Sequence, residues 1–202
     1  VPWLTVNDEP VGTDPITSEE IINVIENKKI YISDPTESFM MSILHSSYAS
    51  SISILHKDIQ SLINNSFIKA AIRYGFSDID LNEFKNNIVK NKESLFEEYR
   101  DKIRRALSIS FVRELYWSKS GKLDYNEMSN YSNQVIVGLW LLSKASIGRV
   151  GLTSKPYVYD DNDVKEISDF VSKRGKGLLE KIREEQEAIY NDEKYWEIIK
   201  NY

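Results

Sequence analysis

Two histidines, His45 and His56, are the first residues to consider for metal binding or acid–base catalysis. They are eleven residues apart within one predicted helix, so they would share a face but stand about 16 Å apart along its axis. That distance prevents both from ligating one metal ion. The chain has no cysteine, so disulfides and thiolate ligands are excluded. We therefore expect no metal and no cofactor, and we interpret each histidine as a packing or hydrogen-bonding residue.

Because carboxylate oxygens bind magnesium and calcium, these are the other metals to consider. The run Asp160-Asp161-Asn162-Asp163 has the charge of a calcium loop but lacks the glycine and the distal glutamate of an EF-hand. Asp163 also stands three residues before Glu166, which is the spacing of a capping box. We interpret this run as the beginning of a helix whose N-terminal dipole favours acidic side chains.

Motifs for covalent catalysis and phosphate binding are equally weak. Ser66-Phe67-Ile68-Lys69 fits the S-x-x-K pattern, but neither of its partner motifs, S-D-N or K-T-G, occurs. Lys173-Arg174-Gly175-Lys176-Gly177 resembles a phosphate loop in composition but lies inside a helical pattern. It could be a kink with solvated basic side chains or a phosphate contact. We therefore expect no enzyme, and a carboxylate- and metal-dependent enzyme remains a remote alternative.

Charge distribution carries a stronger signal than any catalytic motif. Between Lys102 and Lys155 there are nine basic and three acidic residues, a net charge of +6 in a chain whose total is −5. The four residues Tyr116, Trp117, Tyr125 and Tyr131 are interleaved with the cations, an arrangement that could bind a sugar–phosphate backbone. The basic residues are Lys102, Arg104, Arg105, Arg113, Lys119, Lys122, Lys144, Arg149 and Lys155.

This basic segment has two interpretations. It could contact the phosphates of a nucleic acid without regard to sequence. Alternatively, the cations could complement helix dipoles or pair with the chain's own acidic residues. Residues 1–101 have a net charge of −7 and residues 156–202 a net charge of −4. These acids would repel a nucleic acid unless they were turned away from it or matched by a neighbouring subunit.

Composition indicates one folded domain. A 202-residue chain with 41 % hydrophobic residues can bury a substantial core. The N-terminus Val-Pro-Trp-Leu-Thr-Val lacks the basic-then-apolar order of a signal peptide. The longest apolar run, Val135–Leu142, is far shorter than the roughly 20 residues of a membrane span. We expect a soluble protein of the cytoplasm or of a virion, with no membrane span.

Apolar periodicity and capping pairs predict an all-α fold, a bundle of several long antiparallel helices. Thr17, Asp34, Asp80, Asp124 and Asp163 each stand three residues before a glutamate at the front of an apolar-periodic stretch. Strand patterns are marginal throughout. The predicted helices cover residues 18–29, 35–64, 81–90, 93–118, 125–147, 163–190 and 193–201, with a short one possible at 66–74.

The N-terminal segment predicts an extended arm over residues 1–16, followed by a single domain over residues 17–202. Three prolines interrupt helix formation in the arm, and its apolar side chains have no local helix on which to pack. The run Val135–Leu142 is apolar on every side, as expected for a central helix or one covered by a second subunit. The candidate interface residues are Trp3, Leu4, Val6, Val137, Trp140 and Leu141.

Together these features favour a non-enzymatic assembly subunit, similar to a coat protein or nucleoprotein, that associates with copies of itself around nucleic acid. Richness in Ile, Tyr, Asn, Ser and Lys without Cys is typical of a virus or plasmid of a thermophilic host. A small helical adaptor that regulates another protein or a DNA-bound complex is the second hypothesis. The size and homogeneity of the purified protein would separate the two.

Overall fold

The computed structural model describes residues 3–147, 157–193 and 196–197. Helix accounts for 71 % of this part of the chain, which confirms the mostly helical prediction. None of the helices described is long and apolar enough to cross a membrane. The elements are β1 (Trp3–Val6), β2 (Glu9–Thr13), α1 (Ser18–Ile25), α2 (Pro35–Leu44), α3 (Ser47–His56), a 3-10 turn (Gln60–Leu62), α4 (Asn65–Ala71), α5 (Leu81–Ser118), α6 (Tyr125–Tyr131), α7 (Gln134–Ile147) and α8 (Asp161–Tyr190).

The chain divides into two compact units, and the single domain over residues 17–202 stays a prediction. The first unit comprises Val1–Leu107 and Leu141–Asp160, and the second comprises Ser108–Trp140 and Asp161–Tyr202. Helices α5 and α7 therefore contribute residues to both units. The division follows from contacts between distant parts of the chain, which no local composition change marks.

The first unit contains an antiparallel hairpin where the sequence predicted an extended arm. Strands β1 and β2 pair directly, and Asn7 and Asp8 between them both have positive φ, as a tight two-residue turn requires. Leu4 and Val6 pack against a cluster of buried side chains that includes Val11 and Phe76. Because the hairpin buries its apolar residues within its own unit, these residues do not form a free arm.

The centre of the first unit is aromatic. The Phe39 ring on α2 meets Phe67 on α4 edge to face at 5.5 Å and Phe84 on α5 at 6.2 Å. A second cluster joins Ile52 and Leu55 of α3 to Ala145 of α7. These contacts order the helices of the unit through burial of large side chains.

The second unit is built on α6, α8 and the parts of α5 and α7 that belong to it. Phe111 meets the Trp140 ring edge to face at 5.3 Å, and both Met128 on α6 and Ile167 on α8 are fully buried. The Ser168 hydroxyl donates to the Ser132 carbonyl at 2.6 Å. Aromatic packing and buried hydrogen bonds thus hold the unit together.

Helix starts follow the predicted caps in four of five places. Thr17 forms a reciprocal capping box with Glu20, and Asp34, with Pro35 after it, accepts from two backbone amides. Asp80 and Asp124 each accept from the backbone amide three residues on. Asp163 is the exception, because α8 already begins at Asp161 and Asp163 lies buried in its first turn.

Helix lengths differ from the prediction in three places. The predicted helix 35–64 is divided into α2, α3 and the 3-10 turn, because Ser46 caps a new helix by accepting from the Ala49 amide. The predicted helices 81–90 and 93–118 are one helix, α5, in which the Asn91 side chain donates to the Asn87 carbonyl one turn back. The predicted helix 125–147 is divided into α6 and α7. Most of the predicted helix 193–201 lies outside the described residues.

Candidate functional site

The basic residues of α5 in the first unit differ in their surroundings. Arg104 pairs with Asp101 one turn away, at 2.8 Å. The Lys102 ammonium lies 4.2 Å from the centroid of the Tyr99 ring, within cation–π distance. Arg105 is exposed. Lys102 and Arg105 have no ion pair within the described part of the chain, so their charges are available to a partner.

In the second unit, two of the three basic candidates are paired with the chain's own acids. Arg113 binds Glu185 at 3.0 Å. Lys119 binds Glu127 at 2.5 Å, and this hydrogen bond, together with one to Tyr131, raises the pKa of Lys119. Lys122 is exposed, with no ion pair to any described residue. Internal charge matching, the second interpretation of the basic segment, therefore accounts for Arg113 and Lys119.

The remaining candidates complete the distribution. Lys144 lies on the part of α7 that belongs to the first unit and is half-buried. Arg149 and Lys155 lie outside the described residues. The seven described cations are thus distributed between two units, and among them Lys102 and Arg105 are neighbours without an ion pair, one turn apart on α5.

Of the four interleaved aromatic residues, two are engaged within the second unit. The Tyr125 hydroxyl donates to the Ser172 carbonyl at 3.2 Å, and the Tyr131 ring lies 5.3 Å from the Lys119 ammonium. Tyr116 and Trp117 instead line a groove of about 380 Å³ between the C-terminal ends of α5 and α8. Trp117 is 53 % exposed there. The full lining is Tyr116, Trp117, Ser120, Gly121, Gln186, Glu187 and Tyr190, which we call the aromatic groove.

No local sequence pattern predicts the aromatic groove. Its two sides are about 65 residues apart in the chain, so no local spacing brings them together. One sequence feature could have indicated the groove: two adjacent large aromatic residues, Tyr116 and Trp117, lie near the end of a predicted helix, and Gly121 follows shortly after. Gly121 has a φ of +75°, and a side chain there would meet the Tyr116 ring, so glycine suits both the turn and the wall of the groove.

Predicted interface residues on α7 are oriented differently from the prediction. Val137 and Leu141 are fully buried. The Trp140 indole donates to Glu114 at 3.0 Å. The exposed large apolar residues of this helix are instead Val135, Leu139 and Ile147, at 69 %, 62 % and 68 % exposure. The predicted residues Val137, Trp140 and Leu141 therefore serve the chain's own interior.

The predicted arm residues are likewise used within the first unit. Leu4 and Val6 are partly buried against the Val11 cluster. Trp3 keeps 39 % exposure while its ring approaches Phe67 edge to face at 6.4 Å. Pairing of β1 with β2 gives these side chains a local surface on which to pack, which the arm prediction lacked.

Two serine hydroxyls of α3 bond to backbone carbonyls of the first unit. The Ser50 hydroxyl donates to the Ile43 carbonyl at 2.8 Å, and the Ser53 hydroxyl donates to the Ala49 carbonyl at 2.9 Å. All residues from Ala49 to His56 are buried. The small side chains therefore serve close packing within the first unit rather than presenting a surface to a ligand.

The histidines occupy separate environments. His45 ends α2 and is exposed. His56 is buried, with Nδ1 2.7 Å from the Ser61 hydroxyl and its ring 5.3 Å from that of Tyr157. Asp160, from the acidic run, binds Lys57 at 2.5 Å. Among the described residues, no group of three or more His, Asp or Glu side chains is arranged to hold a metal ion.

No protein-family model matches the chain, and neither a curated protein nor a solved structure matches it.

Proposed function

We propose that this protein is a non-enzymatic helical subunit that associates with copies of itself through the exposed apolar side of α7. The observation that supports the proposal is the exposure of Val135 and Leu139, two large apolar side chains that lie four residues apart on α7. Four residues advance a helix by about 6 Å and just over one turn, so the two side chains form one continuous patch. We call this pair the α7 patch.

Energetic reasoning favours a symmetric pairing of this patch. Complete burial of a Val or Leu side chain stabilises by about 2 kcal/mol. Scaled by exposures of 69 % and 62 %, the patch contributes about 2.6 kcal/mol for each copy. A two-fold interface uses the same patch twice, which gives about 5 kcal/mol. Association entropy costs at least about 4 kcal/mol, so the patch supports a dimer together with further contacts around it.

Contact with a polyanion is the second part of the proposal. Lys102 and Arg105 are one turn apart, and neither is neutralised by a described acid, which suits contact with successive phosphates. The paired cations Arg113 and Lys119 would have to break existing ion pairs first. We therefore assign any nucleic-acid contact chiefly to Lys102 and Arg105 rather than to all nine predicted residues.

One observation favours the adaptor hypothesis as the second candidate. Leu4 and Val6 pack within the first unit, so the N-terminal segment is not available to link one subunit to the next. An assembly in which this arm binds a neighbouring subunit is therefore disfavoured. A helical adaptor would use the α7 patch to bind a different protein and would stay monomeric alone.

Sedimentation velocity over a range of protein concentrations tests the proposal. We expect the unmodified chain to form a dimer or larger species, and the double variant Val135→Ser/Leu139→Ser to weaken association by roughly 4 × 10³-fold, which corresponds to the 5 kcal/mol above. Val89→Ser, which changes a 40 % exposed residue of α5, is the matched control. A chain that stays monomeric at all concentrations would contradict self-association and favour the adaptor.

A further inference from the structure

The aromatic groove has the chemistry of a binding site for cations. Its walls present Tyr116, Trp117 and Tyr190, and Tyr190 is 76 % exposed. Glu187 lies among them, and no lysine or arginine of the described part of the chain belongs to the lining. Exposed aromatic faces beside a carboxylate attract ammonium and guanidinium groups through the ring quadrupole and through charge.

A second cavity extends the same surface around Tyr190. It has a volume of about 500 Å³ and is lined by Tyr190, Glu193, Trp196 and Glu197. The Trp196 indole donates to the Tyr190 carbonyl at 2.8 Å, and the two rings approach edge to face at 6.4 Å. Among described residues the two cavities together thus present four aromatic rings and three carboxylates. With volumes of about 500 and 380 Å³, the two cavities have room for more than a single ion, which suits a short peptide segment.

Helix ends reinforce the negative potential. The groove lies where both α5 and α8 end, at Ser118 and Tyr190. Neither helix has a basic residue in its last turn. The C-terminal end of a helix carries partial negative charge, which a lysine or arginine commonly complements. Lys119, which directly follows α5, is already paired with Glu127, so a cation supplied by a partner would meet two helix dipoles and the carboxylates.

We propose that the aromatic groove docks a segment of a partner polypeptide that carries lysine or arginine side chains. Three features support this occupant: exposed aromatic faces, carboxylates that have no ion pair to a described residue, and two helix C-termini. A nucleic acid would be repelled by the same carboxylates. The inference does not depend on the α7 patch, which consists of different residues.

Fluorescence anisotropy with labelled peptides tests the proposal on the full chain. The probe is the heptapeptide Gly-Lys-Gly-Arg-Gly-Lys-Gly, and the control is the same peptide with glutamate at each basic position. We expect the basic peptide to bind and the acidic one not to bind. Affinity should fall as salt is raised, because exposed charge interactions are screened.

Two variants locate the binding site. Glu187→Gln and Trp117→Ala should each weaken binding about three- to tenfold, as loss of one exposed carboxylate or one cation–π contact implies. Glu180→Gln is the matched control, since Glu180 is an exposed acid of α8 outside the lining. Trp117 and Glu187 are both exposed, so these substitutions should leave the thermal unfolding curve unchanged.

Three outcomes would overturn the proposal. One is an equal loss of affinity in Glu187→Gln and Glu180→Gln, which would mean non-specific attraction to an acidic surface. Another is absence of binding by the basic peptide at low salt. The third is a change in sedimentation of Trp117→Ala without any change in peptide binding, which would make the groove an interface between copies.

Discussion

Replacing two glycines of α8 by alanine provides a measurement of packing in the second unit. Gly175 is buried, and a Cβ built on it would lie under 3.0 Å from the Met128 methyl and 3.3 Å from its sulfur. Gly177, two residues on, has no atom within 4 Å of the corresponding position. Both lie inside one continuous helix, so the gain in helix propensity from alanine is the same at both positions.

Both substitutions should gain stability from the helix propensity of alanine, but Gly175→Ala should also have a steric cost. Gly177→Ala should stabilise by about 0.5–1 kcal/mol, because alanine loses less backbone entropy in a helix. Gly175→Ala has the same gain, but it must displace the side chain of Met128, which is fully buried. Overpacking of this kind costs about 1–3 kcal/mol. The two variants should therefore differ by about 1–3 kcal/mol in free energy of unfolding, or roughly 2–12 °C in Tm.

Urea unfolding followed by far-UV circular dichroism measures the difference, with a thermal scan beside it. The Met128→Ala background supplies the internal check. With the methionine truncated, Gly175→Ala has room and should stabilise as much as Gly177→Ala does. Equal stabilisation by the two alanines in the unmodified background would refute the reasoning, because it would show that Met128 does not occupy the space above Gly175.

Three further predictions concern the basic segment, the hairpin and alkaline pH. The double variant Lys102→Gln/Arg105→Gln should flatten the slope of log K against log [salt] for DNA binding by roughly two units. The control Arg104→Gln should leave the slope unchanged, because the charge of Arg104 is already paired. Equal slopes in all variants would exclude these phosphate contacts. Val11→Ala should lower the urea midpoint by an amount equivalent to about 2 kcal/mol, whereas a free arm would tolerate it. Burial raises the pKa of Tyr48 above 10.0, so the folded state holds the phenol proton more tightly than the unfolded state does. The free energy of unfolding should therefore fall above about pH 10. In urea titrations, Tyr48→Phe should make this fall shallower.

Helix starts are the part of this structure that the sequence determines by itself. Thr17, Asp34 and Asp124 each cap a helix as their spacing predicted. The reason is physical range, because a cap bonds to an amide only two or three residues away. The ion pair between Arg104 and Asp101 belongs to the same local class.

The positions where helices end or break depend on tertiary packing as well as on local sequence preference. Ser46 was available as a cap, yet the small residues around it fit one long helix equally well until burial in the first unit is known. Asn91 resembles a helix breaker in sequence, but its side chain bonds back to Asn87 and the helix continues. Backbone propensity differences of a few tenths of a kcal/mol decide neither case, whereas tertiary packing does.

Only the tertiary structure decided which candidate residues are free to act. Arg113 and Glu185 are 72 residues apart, so their pairing cannot be anticipated from charge counts. Val137 and Val135 are equally apolar in sequence, yet one is fully buried and the other is 69 % exposed. The aromatic groove likewise requires the ends of α5 and α8 to meet. In each case the outcome depends on which distant segments of the chain lie close together. Burial of the core determines this proximity, and residue type alone does not encode it.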